Sequence, residues 1–286
     1  MIDVAVAGSL HLDIVVEAPR LPGRDETLIG SSWRYKCGGK GGNQAAAAAR
    51  CGARTAFGGR TGQDDFGELL RANLVAAGVD IAHVGIDAAH GSGMSIAVSE
   101  AGGEYGAVVV SGANLAIDAD RVARDWAQLL AAKVLLLQNE IPEAVNLAAA
   151  RAAKAQGARV VLNAAPARKM TAEFLALVDL LVVNRVEAAM LSGEDDMGTA
   201  LAALHSPSRD VVLTGGGDGS MLMRRDGVRA DIPALPVKLI SSHGAGDCFC
   251  GALAARLAAG DGIEAACRFA TQAAGKFVST AQTGHG

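Results

Sequence analysis

Aromatic residues are scarce, 3% of 286 positions, which leaves little with which to stack exposed nucleic-acid bases. Cysteine is also thin: Cys37, Cys51, Cys248, Cys250 and Cys267 are scattered, odd in number, and form no CxxC pair or Cys/His zinc spacing. Reduced thiols in a cytoplasmic protein are the expectation. No stretch approaches 18 uninterrupted apolar residues, so no membrane span is expected. The opening MIDVAVAGSLHLD carries acidic residues inside its apolar run and has no basic lead, which does not fit a secretory signal. Neither sign of charge dominates. Lys plus Arg number 26 against 30 Asp plus Glu, and the net charge of -4 gives no general attraction to nucleic acid or to an anionic membrane. Any anion site must therefore be local.

Two familiar nucleotide signatures are missing as well. There is no GxxxxGK[ST] and hence no P-loop. The G-x-G at Gly215 to Gly217 is followed by Ser220, where a dinucleotide fingerprint needs Gly or Ala. No fixed-period repeat and no Pro/Ser-rich linker divides the chain, so residues 1–286 read as one domain.

What is present is an alternation of short β-branched runs with Ala-rich helical stretches, the pattern of a parallel sheet covered by helices. The runs are Ile2 to Ala7, Val134 to Leu137, Val160 to Leu162, Leu180 to Val183 and Val211 to Leu213. Being apolar nearly throughout, they suit strands buried on both faces. Helices are expected at Glu143 to Gln156, Ala172 to Leu177 and Val186 to Leu191. Leu12 to Lys36, and Ser92 to Ser111 around the turn-like AGGE, read instead as antiparallel strands projecting from the sheet as a small lid.

Three glycine-rich segments carry the chemistry. In Ser241 to Gly260 a glycine turn runs straight into an amphipathic helix, so the amides of Gly244, Ala245 and Gly246, with the helix dipole, can gather an anion. Asp247 heads that helix, where the dipole favours an ionised carboxylate able to take a proton from an alcohol. Equally, Asp247 can simply favour the helix start, worth about 0.5 to 2 kcal/mol. In Cys37 to Gly52, four glycines surround Lys40 and precede Asn43 and a run of alanine; close backbone, a cation and a bifunctional amide suit a polyhydroxylated ligand, or else a plain loop before a tightly packed helix. In Val211 to Met221 a strand ends at Thr214 and a glycine turn. Asp13, Glu140, Asn184 and Glu187 follow apolar runs and so fall at the carboxyl ends of parallel strands, where open α/β sheets bind ligands.

Taken together, GSLHLD, GGKGGN, NRVE, TGGGDG and GAGD, in this order and at these separations, resemble the ribokinase family of carbohydrate and nucleoside kinases across nearly the whole chain. The resemblance implies a mainly parallel sheet flanked by helices, a β lid that in relatives pairs two subunits into a homodimer, and ATP with Mg²⁺ as cofactors. It implies Asp247 as catalytic base and the Gly244, Ala245 and Gly246 amides as stabilisers of the transferring phosphoryl group. His11, Asp13, Gly39, Lys40, Asn43, Glu140 and Asp247 match sugar-holding positions. Asn184, Glu187, Thr214, Gly216 and Gly219, with Gly244 and Gly246, match the nucleotide side, Glu187 meeting Mg²⁺ through water. The activity implied is phosphorylation of a hydroxymethyl group on a pentose or related sugar; a nucleoside kinase and a non-catalytic sugar-binding protein are the alternatives. Two departures stand out. Ser241, Ser242 and His243 replace the Asp-Thr-Thr-like triplet whose Asp helps bind an activating K⁺, which leaves a K⁺ site in doubt. His243 beside the anion loop can either lend positive charge near phosphate or simply pack there. His11 stands where similar sequences place a sugar-touching Asn, so the sugar need not be ribose.

Overall fold

The alternation of strand and helix signals is realised in a computed structural model that describes residues 1–100 and 105–280. The turn read at AGGE, residues 101–104, lies outside the described residues. The chain opens with β1 (Val4–Ala7), β2 (His11–Ala18), β3 (Ser32–Gly38), α1 (Lys40–Arg50), β4 (Thr55–Gly62), α2 (Asp65–Ala76) and β5 (Asp80–Asp87). It continues through β6 (Met94–Glu100), β7 (Tyr105–Val110), α3 (Ala119–Asp125), β8 (Val134–Gln138), α4 (Glu143–Ala155), β9 (Arg159–Asn163) and α5 (Ala172–Ala176). The last third holds β10 (Leu180–Asn184), α6 (Arg185–Ser192), α7 (Met197–Leu204), β11 (Asp210–Thr214), β12 (Ser220–Met223), β13 (Arg229–Ile232), α8 (Ala245–Ala258) and α9 (Ile263–Val278).

The large sheet has nine strands in the order β13, β12, β11, β10, β9, β8, β1, β4, β5. Pairing is parallel from β11 across to β5, and β12 and β13 close one edge antiparallel. Side chains alternate between faces along each strand. Ala5, Ala7, Leu135 and Leu137 join one core with residues of α3 to α7, while Val4, Val6, Val134 and Leu136 join another with α1, α2, α8 and α9. Both faces are covered, which is why the strand sequences are apolar throughout.

β4 and β5 escape the apolar-run signal. β4 carries Gly58 because a Cβ there would sit 2.5 Å from Leu129 Cδ2. The strand gives up its β-branched signature to admit a helical turn.

The scarcity of large side chains has a positional result. Ala45 to Ala48 of α1 are buried, and α1 lies directly on α8. A Cβ on Gly251 of α8 would come within 2.4 Å of the Gln44 carbonyl oxygen and 2.6 Å of Ala47 Cβ. Small residues thus set the close approach that brings the start of α1 to the start of α8.

The smaller sheet has the order β3, β2, β6, β7. Each hairpin is antiparallel within itself, as the sequence suggests, but β2 and β6 join the hairpins in parallel. The reason is topological: β2 follows β1 and β6 follows β5, two parallel strands that release the chain at the same end of the large sheet. Period-two alternation makes this small sheet amphipathic. Lys36, Asp13 and Ser95 stand in register on one face. Tyr35, Ile14, Ile96 and Val108 form the next row, on the other face. Tyr35 meets Phe66 of α2 edge-on at 5.9 Å between centroids, while Ile96 and Val108 are 46% and 68% exposed.

Candidate active site

Gly244 adopts a left-handed conformation, φ 84°, and so turns the chain into α8. The Ala245 N–H donates to Ser242 O at 3.2 Å within that turn. Among the described residues, the Gly244 and Gly246 N–H groups meet no protein acceptor. A cavity of about 160 Å³ opens beside them, lined among others by Lys40, Asn184, Glu187, Thr214 and Asp247. It sits at the carboxyl ends of β10 and β11, where the sheet topology places ligands.

Asp247 is anchored by amides. Asn43 Nδ2 donates to Oδ2 at 3.0 Å, and Gln44 Nε2 donates to Oδ1 at 3.0 Å. Burial nevertheless raises its pKa above the ordinary carboxylate value; Lys40, Gln44 and Asn43 oppose the rise and Glu140 adds to it. The helix start alone therefore does not settle its ionisation; Lys40 and the two amides share that task. A raised pKa moves a carboxylate toward the range useful to a general base.

The other sugar-side candidates gather on the lid side of Lys40. Glu140 accepts the Ser9 hydroxyl and, at 2.8 Å, the Lys40 backbone N–H. His11 is buried with Nδ1 3.8 Å from Glu140, and its Nε2 meets no partner among the described residues. Asp13 accepts from Ser95 Oγ at 2.5 Å. Lys36, which sequence reading had placed merely at the end of the lid, joins this group. Desolvation lowers its pKa, with the attraction of Asp13 and of Asp247 opposing, so its charge lies between those two carboxylates. Gly39, φ 85°, is set by packing: a Cβ there would lie 2.8 Å from both His11 N and Ser9 O. Gly39 and Gly41 thus admit the chain's own backbone, while Gly38 and Gly42 clear the side chains of Asp13 and Leu10.

On the nucleotide side, Asn184 and Glu187 form a capping box that starts α6. Asn184 Oδ1 accepts the Glu187 N–H at 2.8 Å, and Glu187 accepts from the Asn184 N–H at 2.8 Å and from its Nδ2 at 2.9 Å. Desolvation raises the pKa of Glu187, and the charge of Asp247 adds to that rise. Glu187 lines the cavity, and one protein donor on each oxygen leaves each with acceptor capacity for the water shell of a Mg²⁺. Thr214 lines the cavity; Gly216 and Gly219 lie in the turn after it with φ 63° and 86°. A Cβ on Gly219 would meet Ile232 O at 2.1 Å, so that glycine is required by the β12–β13 edge. Desolvation lowers the His243 pKa, the charges of Lys36 and Lys40 add to this and Asp13 opposes. This environment favours the neutral ring. Among the described residues there is no cluster of three or more metal-ligating side chains, and no helix is long and apolar enough to cross a membrane.

Comparison with known proteins identifies the family and the fold. The pfkB family carbohydrate kinase profile matches residues 1–286. Ribokinase of Bacillus subtilis is 34% identical over 287 residues, spanning 96% of this chain and 92% of that protein. Ribokinase of Haemophilus influenzae is 32% identical over 276 residues, spanning 95% and 90%. The structure of Arabidopsis thaliana ribokinase complexed with ribose and ATP matches with a TM-score of 0.88 at 29% identity, over 97% of this chain and 92% of that one.

Proposed function

The chain belongs to the pfkB family of carbohydrate kinases, and we propose from that premise that it transfers the γ-phosphoryl group of ATP to a hydroxymethyl group of a pentose. The observation that carries the reading is the contact of Asn43 with Asp247 beside the Gly244 and Gly246 amides. A base, a sugar-binding amide and an anion-binding helix start then share one place. Asp247 takes the proton of the acceptor hydroxyl as that oxygen bonds to the γ-phosphorus, and the bond from phosphorus to the β-phosphate bridging oxygen breaks to release ADP. Amide N–H groups at the α8 start and Lys40 oppose the charge on the transferring group. Bound with ATP, Mg²⁺ would neutralise charge on the β- and γ-phosphates, with Glu187 holding its water shell.

On the sugar side, Asp13, Lys36, Glu140 and His11 Nε2, unpartnered among the described residues, offer donors and acceptors to the hydroxyls. Ser241 offers a neutral hydroxyl, so K⁺ activation is not expected. The exposed apolar face of the lid, with Trp33 63% exposed on the same face as Ile96 and Val108, supports a homodimer formed through the lid. Mass measured by light scattering in solution tests that assembly.

Turnover with MgATP on ribose, deoxyribose, hexoses and nucleosides tests the activity. A pentose should give the highest kcat/KM. Preference for a nucleoside would move the assignment to a nucleoside kinase, and binding without phosphorylation across the panel would leave a sugar-binding protein.

A further inference from the structure

Gln44 lies beside Asp247, and its bond has so far counted only toward the ionisation of that carboxylate. Its side chain is fully buried in α1, as are Gln138 and Asn146 behind it, each 0% exposed. Both Gln44 N–H directions are used, since Nε2 donates at 3.0 Å to Asp247 Oδ1 and at 3.0 Å to Asn163 Oδ1. Its Oε1 accepts from Gln138 Nε2 at 2.8 Å. Asn163 is itself tied, since its Nδ2 donates to Val182 O at 3.3 Å, while Gln138 Oε1 meets no partner among the described residues. Turning the Gln44 amide over would set its oxygen against two acceptor oxygens and its N–H groups against the Gln138 donor. Asp247 and Asn163 therefore set the orientation of Gln44, and the Gln138 amide matches it.

The two oxygens of Asp247 are consequently unequal. Oδ1 points into the buried amide chain, and a proton on it would face the Gln44 N–H, donor against donor. Oδ2 meets Asn43, which is half-buried and free to exchange this bond for a ligand. We propose that Gln44 is a positioning residue that holds Asp247 Oδ1 inside the protein and thereby assigns proton transfer to Oδ2, an inference that rests on the kinase reading above. The acceptor O–H bond breaks as the Oδ2–H bond forms, and the electron pair left on the hydroxyl oxygen goes to phosphorus.

Other ionisable groups act on Asp247 from every side. They are Lys40 at the start of α1, Lys36 of β3, Glu140 after β8, Glu187 of α6, and Cys248 and Cys250 on its own helix. A Gln44→Met substitution keeps all of them and the approximate volume while removing the donor to Oδ1. The acid limb of the kcat profile should then move up by about one pH unit, the scale of one lost hydrogen bond to a carboxylate. At the plateau kcat should fall by about 10- to 100-fold, with the sugar KM changed by less than about threefold. Gln138→Met, which releases the Gln44 amide without touching Asp247, should shift the limb in the same direction and by less. A parental acid limb in either folded variant overturns the proposal.

The unaltered protein provides an independent measurement, a crystal structure with the preferred sugar and a non-hydrolysable ATP analogue. Asp247 Oδ2 should lie about 2.6 to 3.2 Å from the acceptor hydroxyl oxygen, with Oδ1 still on Gln44. Turnover by the unaltered protein together with Oδ1 facing the hydroxyl would overturn this inference alone. Absence of turnover on every sugar and nucleoside would overturn the kinase reading and this inference with it.

Discussion

Asn43 and Asp247 are 204 residues apart in the chain and are joined by a hydrogen bond from Nδ2 to Oδ2 at 3.0 Å. The bond exists because a helix of alanines and a helix containing Gly251 pack close enough for their first turns to meet. It also occupies the oxygen that an acceptor hydroxyl must reach, so substrate entry exchanges one partner of Asp247 for another. Asn43→Ala should therefore raise the sugar KM about 10-fold, the equivalent of one net hydrogen bond near 1.4 kcal/mol. An unchanged KM in steady-state kinetics would remove Asn43 from the sugar site.

Gly251 lies outside the cavity and still bears on catalysis. Its missing Cβ would lie 2.4 Å from the Gln44 carbonyl oxygen, so Gly251→Ala must push α1 and α8 apart. We expect a loss of about 1 to 3 kcal/mol in urea denaturation and a lower kcat from displaced Asn43 and Gln44. Parental stability in this variant would show that the helix contact tolerates more than the geometry allows.

Asp247 links stability to pH in a direction opposite to most carboxylates. Its folded pKa is raised above the ordinary 3.8, so the folded protein keeps the proton to higher pH than the unfolded chain does. Stability is then lost as pH rises from that ordinary value through the raised one, and the ionised carboxylate is a net cost at neutral pH. Asp247→Asn removes the cost. The variant should melt at or above the parent's Tm near pH 7, and this advantage should vanish below about pH 4. A variant less stable than its parent near neutrality would contradict the direction of the shift.

Potassium and sodium should support equal activity, because Ser241 supplies neither the charge nor the carboxylate geometry that a bound K⁺ would use. Initial rates in matched chloride salts check this. Several-fold stimulation by K⁺ would reveal other ligands.

Much of this arrangement was legible along the chain, for identifiable reasons. Val134 to Leu137 and Leu180 to Val183 announce strands because both their faces are buried, and no polar alternation is needed there. Asp13, Glu140, Asn184 and Asp247 are conspicuous because each follows an apolar run or a glycine turn. β4 was hidden because Gly58 answers to Leu129, a neighbour distant in sequence. The parallel join of β2 and β6 follows from where β1 and β5 end, which local alternation does not encode. Gln44, Gln138 and Asn163 are amides within or bordering apolar stretches, and their meeting depends on how α1, β8, β9 and α8 pack. The one local sign is a glutamine heading a run of alanine, a polar side chain that such a helix has no reason to bury without partners.

We propose that the carboxylate at the start of α8 takes the acceptor's proton. This is tested most directly by kcat for pentose phosphorylation in folded Asp247→Asn, where the parent's sugar KM serves as the control for binding. We expect kcat to fall by at least about 10² with KM nearly unchanged, the size of effect that follows loss of a positioned base. A folded Asp247→Asn protein that turns over at the parental rate would contradict the account.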